Sequence, residues 1–192
     1  MADRVDVLAR NRGPVREKTK RRSHRSSGAA HVSPYWYYGI LALAILSFAL
    51  IRFRLRDMPL ERDEGEYAYA GQLILQGVPP YRLAYNMKLP GTYAAYSLIL
   101  YLFGETPAGI HTALLLLNAA STLMIYFLGR RLFGFLTGTV AAASYALLST
   151  SESVLGLAGH ASHFVVAAAL AGVLLLLKAM DSSNKALLFF PD

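Results

Sequence analysis

The chain of 192 residues contains no cysteine, which excludes structural disulfides and cysteine-ligated zinc. Its long apolar blocks carry no ionisable side chain at mid-span; His111 stands only near an end of one. A transporter, which needs such groups along an ion or proton pathway, therefore ranks last among the membrane classes. The N-terminal arm is basic but has no aromatic residue between its charges, so nucleic-acid binding lacks its stacking partners. No small-residue cleavage site accompanies the first apolar stretch, which is too long for a signal peptide and is expected to stay attached as an anchor.

What is present is apolar and helical. Hydrophobic residues make up 55% of the chain and mean hydropathy is +0.37, with the apolar residues in blocks longer than a soluble core of this size needs. The composition predicts an all-α polytopic membrane protein. A first span over 35–53 opens with Pro34-Tyr35-Trp36-Tyr37-Tyr38, an aromatic belt suited to headgroup level. At 1.5 Å per residue it covers about 28 Å, the thickness of the hydrocarbon core. Blocks at 107–128, 133–150 and 162–178 give about four transmembrane helices in all, while a fifth, 90–103, is short for a span.

Charge sets the expected topology. Residues 1–33 hold Arg4, Arg10, Arg12, Arg16, Lys18, Lys20, Arg21, Arg22 and Arg25 against Asp3, Asp6 and Glu17, which reads as a disordered cytoplasmic arm that fixes orientation and touches anionic lipid. The chain is then a multi-pass plasma-membrane protein with a cytoplasmic N-terminus, and 34–192 is its membrane domain. Arg130 and Arg131 should share the arm's side, so the 90–103 block lies in the outer interface rather than crossing. Arg52, Arg54 and Arg56, on the outer side in this scheme, argue the other way.

The outer loop, 54–106, is expected to hold two interfacial helices, 63–76 and 90–103, the first ended by Gly77-Val78-Pro79-Pro80. Its start carries Arg62-Asp63-Glu64-Gly65-Glu66-Tyr67, three acids in four residues beside a membrane, where like charges must be hydrated or paired. Asp63, Glu66 and Tyr67 share a helix face, with Glu64 about 100° away. The acid nearest a substrate is then Asp63 with Glu66 or Tyr67 beside it, or Glu64 alone. The competing reading is capping, with Asp63 as N-cap and Glu66 completing a capping box. Lys88 stands at a helix start, where a cation is disfavoured, and suits a phosphate at headgroup level; snorkelling is its alternative. His160 and His163, at i and i+3, could share a metal or serve as polar helix-end residues. His111 reads as a polar packing contact, Glu152 as a residue at water level, and Tyr93, Tyr96 and Tyr101 as headgroup anchors first and sugar-stacking groups second.

In order and spacing, Asp63-Glu64-Gly65-Glu66-Tyr67-Ala68-Tyr69-Ala70, Gly77-Val78-Pro79-Pro80-Tyr81, Lys88-Leu89-Pro90-Gly91-Thr92-Tyr93, Leu102-Phe103-Gly104 and Gly129-Arg130-Arg131-Leu132-Phe133-Gly134 resemble the N-terminal part of GT-C type membrane glycosyltransferases, the group that includes protein O-mannosyltransferases and aminoarabinose transferases. The resemblance covers about residues 35–178. It implies transfer of a sugar from a polyprenyl-phosphate donor, at the outer face, to a lipid, glycan or protein acceptor. Asp63 is then the candidate base, Glu64 its neighbour or a metal ligand, and Lys88, with Arg82, the phosphate holder; Glu66, Tyr67, His160 and His163 contact substrate. The histidines stand where many relatives carry an acid, leaving open a divalent metal cofactor. Relatives have more spans than four, and Leu187-Leu188-Phe189-Phe190-Pro191-Asp192 begins another apolar segment, which predicts a truncated frame or a missing C-terminal part or partner subunit. The alternative function is a non-catalytic fragment or a lipid-phosphate-binding membrane subunit. A two-carboxylate glycosidase fits poorly, because its acids must flank the scissile bond.

Overall fold

A computed structural model describes residues 35–85 and 88–181 of the protein. The basic arm over 1–33, Asn86 and Met87, and the apolar C-terminal segment lie outside the described residues. Those described form six α-helices and no strand: α1 (Tyr35–Arg54), α2 (Arg62–Leu75), α3 (Pro90–Phe103), α4 (Pro107–Phe133), α5 (Phe135–Leu148) and α6 (Ala161–Asp181). A single 3-10 turn, Glu152–Val154, lies between α5 and α6.

Three of these helices, α1, α4 and α6, are long and apolar enough to cross a membrane. The block expected as a span over 133–150 is a helix of 14 residues, about 21 Å long against a hydrocarbon core of about 30 Å. It is shortened from its N-terminal side by Gly134, whose φ of +97° and ψ of 176° fall in a region essentially restricted to glycine. The helix before it is correspondingly long. Arg130 and Arg131 lie inside α4, which runs on to Phe133, because arginine is a good helix former and nothing stops the ladder before Gly134.

Helix α4 is the hub, packing against α1, α3, α5 and α6, while α2 packs on α3 and α1 on α5. The α4–α5 contact is close enough to require glycine. A Cβ on Gly138 would lie 2.6 Å from the Arg130 amide nitrogen and 2.7 Å from the Tyr126 carbonyl oxygen, distances no side chain tolerates. Thr106 caps α4 by accepting from the Gly109 N–H at 3.1 Å, with Pro107 in the first turn where its missing N–H costs nothing.

The main core forms where α2, α3 and α4 meet. Tyr67, Tyr93, Tyr96, Ile110 and Leu114 are buried there. The Tyr67 ring lies 5.5 Å from that of Tyr96 and 6.2 Å from that of Tyr93, and Phe164 of α6 meets Tyr96 edge-on at 5.8 Å. Such pairs contribute about 0.5–1.5 kcal/mol each beyond their buried area. Tyr93 and Tyr96 are thus packing residues, not the headgroup anchors the sequence suggested; of the three tyrosines considered, only Tyr101 is exposed. Tyr93 and Tyr96 sit three residues apart on α3, so both turn inward, and Tyr101 falls on another face.

Candidate functional site

The start of α2 is capped two residues earlier than the sequence suggests. Glu61, not Asp63, is the N-cap: its side chain accepts from the Asp63 N–H at 2.8 Å. Glu64, not Glu66, completes the capping box by accepting from the Glu61 N–H at 2.9 Å. This releases the Asp63 carboxylate from the cap and commits that of Glu64 to it.

Glu64 is fully buried. Besides Glu61, it accepts from the Gly159 N–H at 2.5 Å, and its oxygens lie 3.4–3.5 Å from His111 Nε2. His111 Nδ1 donates to the Arg56 carbonyl at 2.7 Å, which fixes a proton on that nitrogen and aims Nε2 at the carboxylate, to which it donates as the imidazolium with both ring nitrogens protonated. Burial alone would raise the Glu64 pKa. Hydrogen bonds from His111 and from the Glu61 and Gly159 amides outweigh it and hold the carboxyl below its ordinary value.

The segment after α5 is tied to this carboxylate from both sides. Tyr96 donates its hydroxyl to the Gly159 carbonyl at 2.6 Å while the Gly159 amide donates to Glu64. Arg52, buried and stacked over the Phe48 ring at 5.1 Å, donates to the Ser149 carbonyl at 2.8 Å and also to that of Gly156. It is therefore a clamp on this loop rather than a surface charge. Gly159 is closely approached by three side-chain ends: a Cβ there would run into the Tyr96 hydroxyl and would lie 2.8 Å from Leu114 Cδ1 and 3.0 Å from Glu64 Oε1, so these buried groups must shift to admit one. Gly159→Ala is expected to destabilise the protein by about 2 kcal/mol, read as a lowered thermal midpoint in detergent; an unchanged midpoint would mean the loop yields freely.

The clamped loop delivers His160 to Asp63. His160 Nδ1 lies 3.9 Å from Asp63 Oδ2, and both side chains are about one-quarter exposed. Asp63 Oδ1 pairs with Arg62 at 3.2 Å, but that arginine is 90% exposed, so the pair contributes little. Glu61, Asp63 and His160 each offer a ligand atom within 4.8 Å of the others, two carboxylates and one imidazole, a donor set that suits a divalent transition ion with an open position.

The other expected residues divide. Tyr67 is buried between Tyr93 and Tyr96, so a substrate could reach it only after those rings moved. Glu66 is partly exposed and near enough to Tyr93 to reinforce the upward shift that burial gives that phenol. His163 does not join His160: it lines a separate cavity of about 270 Å³ with Tyr145, Ser149 and Ser162. Arg82 and Lys88 are both exposed in the α2–α3 connection, where Tyr81 donates its hydroxyl to the Lys88 carbonyl at 2.6 Å. Glu152 is exposed in the 3-10 turn. Sequence reasoning missed Glu61, Arg52 and Gly159. Glu61 alone had a local signal, since Glu61-x-x-Glu64 has the N-cap to N3 spacing of a capping box.

Comparison of the chain with family models, curated proteins and solved structures found no match to any of them.

Proposed function

We propose that the protein transfers a glycosyl group from a polyprenyl-phosphate donor to an acceptor hydroxyl at the outer face of a plasma membrane. The observation that carries this reading is the division between two adjacent carboxylates: Glu64, buried and fully engaged, and Asp63, partly exposed beside His160. The N-terminus is cytoplasmic, α1, α4, α5 and α6 are the four spans, and α2 and α3 lie in the outer interface. The short α5 spans by local thinning of the bilayer and with the help of its flanking turns.

In the reaction, the acceptor oxygen attacks the anomeric carbon as its bond to the donor phosphate breaks. The acceptor proton passes to Asp63, and the polyprenyl phosphate departs with its bonding electrons. Its charge is met by Lys88, with Arg82 beside it in the same connection. Phosphate is a good leaving group, so no strong acid is required. A divalent ion, where bound, would be held by Glu61, Asp63 and His160 and would supply Lewis-acid stabilisation of the phosphate oxygens.

The test is transfer of labelled sugar from a polyprenyl-phosphate donor in membranes carrying the full chain. Lys88→Gln is expected to raise the donor KM about tenfold or more, the worth of a hydrogen bond to a charged group. Loss of transfer in EDTA, restored by Mn²⁺ or Zn²⁺, would assign the ion to the reaction; undiminished transfer would leave Asp63 acting as base unaided. Donor binding with no transfer would select the alternative, a lipid-phosphate-binding subunit. Neither binding nor transfer would defeat both readings.

A further inference from the structure

At the end of the bundle defined by the α4 C-terminus, a groove of about 330 Å³ runs between α4 and α6, lined by Phe127, Arg130, Arg131 and Leu174. Its two cations are held in place rather than waving in solvent. Arg130 stacks over the Phe135 ring at 4.2 Å and donates to the Tyr38 hydroxyl at 3.4 Å. Arg131 uses one terminal nitrogen for both Asp181, at 2.5 Å, and the Leu177 carbonyl, at 2.6 Å. A guanidinium carries five N–H donors, so this arginine keeps others to offer. Lys178 lies four residues beyond Leu174, on the same face of α6. Arg130, Arg131 and Lys178 against Asp181 leave this rim two charges positive among the described residues.

We propose that this groove seats an anionic phospholipid, its phosphate on Arg130 and Arg131 and an acyl chain along Phe127 and Leu174. Two features of the groove select that occupant. Besides the two cations the groove is lined by a phenyl ring and a leucine side chain, which a free phosphate would not use and an acyl chain would. The level is that of headgroups: α4 and α6 are both long and apolar enough to cross a membrane, and their charged ends stand beside Tyr38 and Phe135, aromatic groups of the kind that collect at the interface. The net positive rim separates an anionic lipid from a zwitterionic one. The site is independent of the glycosyl-transfer reading, since it shares no residue with the Asp63 region.

The experiment is native mass spectrometry of the full chain in neutral detergent, with phosphatidylglycerol and phosphatidylcholine supplied at equal concentration and, separately, inorganic phosphate alone. Retention of phosphatidylglycerol should exceed that of phosphatidylcholine by about thirtyfold, the two arginines near the headgroup contributing about 1 kcal/mol each. The preference should fall severalfold in R130Q/R131Q, the remainder belonging to the basic arm over 1–33, and persist undiminished in R54Q, a change at the opposite end of α1 from Tyr38. Equal retention of the two lipids, an undiminished preference in R130Q/R131Q, or retention of inorganic phosphate as strong as that of the lipid would overturn the proposal. If R130Q/R131Q does not fold, a photoreactive phosphatidylglycerol on the unaltered chain decides: adducts within 127–131 and 174–178 support the site, and adducts confined to other segments refute it.

Discussion

Asp63→Asn is expected to lower sugar transfer by about 10²–10⁴-fold, the usual worth of a positioned general base, while leaving the thermal midpoint near that of the unaltered chain. The separation of effects follows from the site. The Asp63 side chain is about one-quarter exposed, its ion pair is with a solvent-exposed arginine, and the capping box of α2 is closed by Glu61 and Glu64 without it. Its backbone N–H still donates to Glu61 after the substitution. Surface changes of this kind stay within about 0.5 kcal/mol of stability. Initial rates in membranes, with unfolding followed in detergent, check both halves. Transfer undiminished in Asp63→Asn would remove this carboxylate from the reaction.

Glu64→Ala is expected to do the reverse, destabilising the fold by about 3–5 kcal/mol, the range for removing one partner from a buried charged pair. The deletion leaves the Glu61 and Gly159 N–H groups and His111 Nε2 facing a cavity, and loosens the loop that carries His160. Glu64→Gln, which keeps the shape but must aim an amide N–H at one of those donors, should cost about 1–3 kcal/mol. The same carboxylate makes stability depend on pH. Its pKa in the folded protein lies below the ordinary 4.5, so its contribution is complete above pH 4.5 and is lost as pH falls through the lower folded value. Thermal midpoints measured against pH should therefore fall in acid for the unaltered chain, and fall less for Glu64→Gln. An equal acid dependence in both would place the titrating group elsewhere.

The all-helical class and the three long apolar helices were legible because apolar block length is a local property, readable residue by residue. The length of α5 was not. Hydropathy runs through Gly134 unbroken, and only the backbone conformation there separates α4 from α5. The cap of α2 was misplaced for an ordinary reason: aspartate is a stronger N-cap than glutamate, so Asp63 outranked Glu61 on propensity. The choice is settled by Gly159, 95 positions along the chain, whose amide draws Glu64 inward and makes it the inner member of the box. Arg52 shows the same limit. At the end of an apolar helix it reads as a topological charge, and only the carbonyls of Ser149 and Gly156 turn it into a clamp. His111 was placed among polar packing contacts by its position early in an apolar helix, and it is buried against Glu64 and the Arg56 carbonyl.

The most direct test of a donor site at Asp63 and Lys88 needs no turnover. A photoreactive polyprenyl-phosphate sugar analogue would be cross-linked to membranes containing the full chain, and the adducts mapped by peptide sequencing. Adducts are expected on 61–66 and 88–93, competed by unlabelled donor and weakened by Lys88→Gln. Adducts confined to the cavity around Tyr145, Ser149 and His163, with neither 61–66 nor 88–93 labelled, would contradict that donor site.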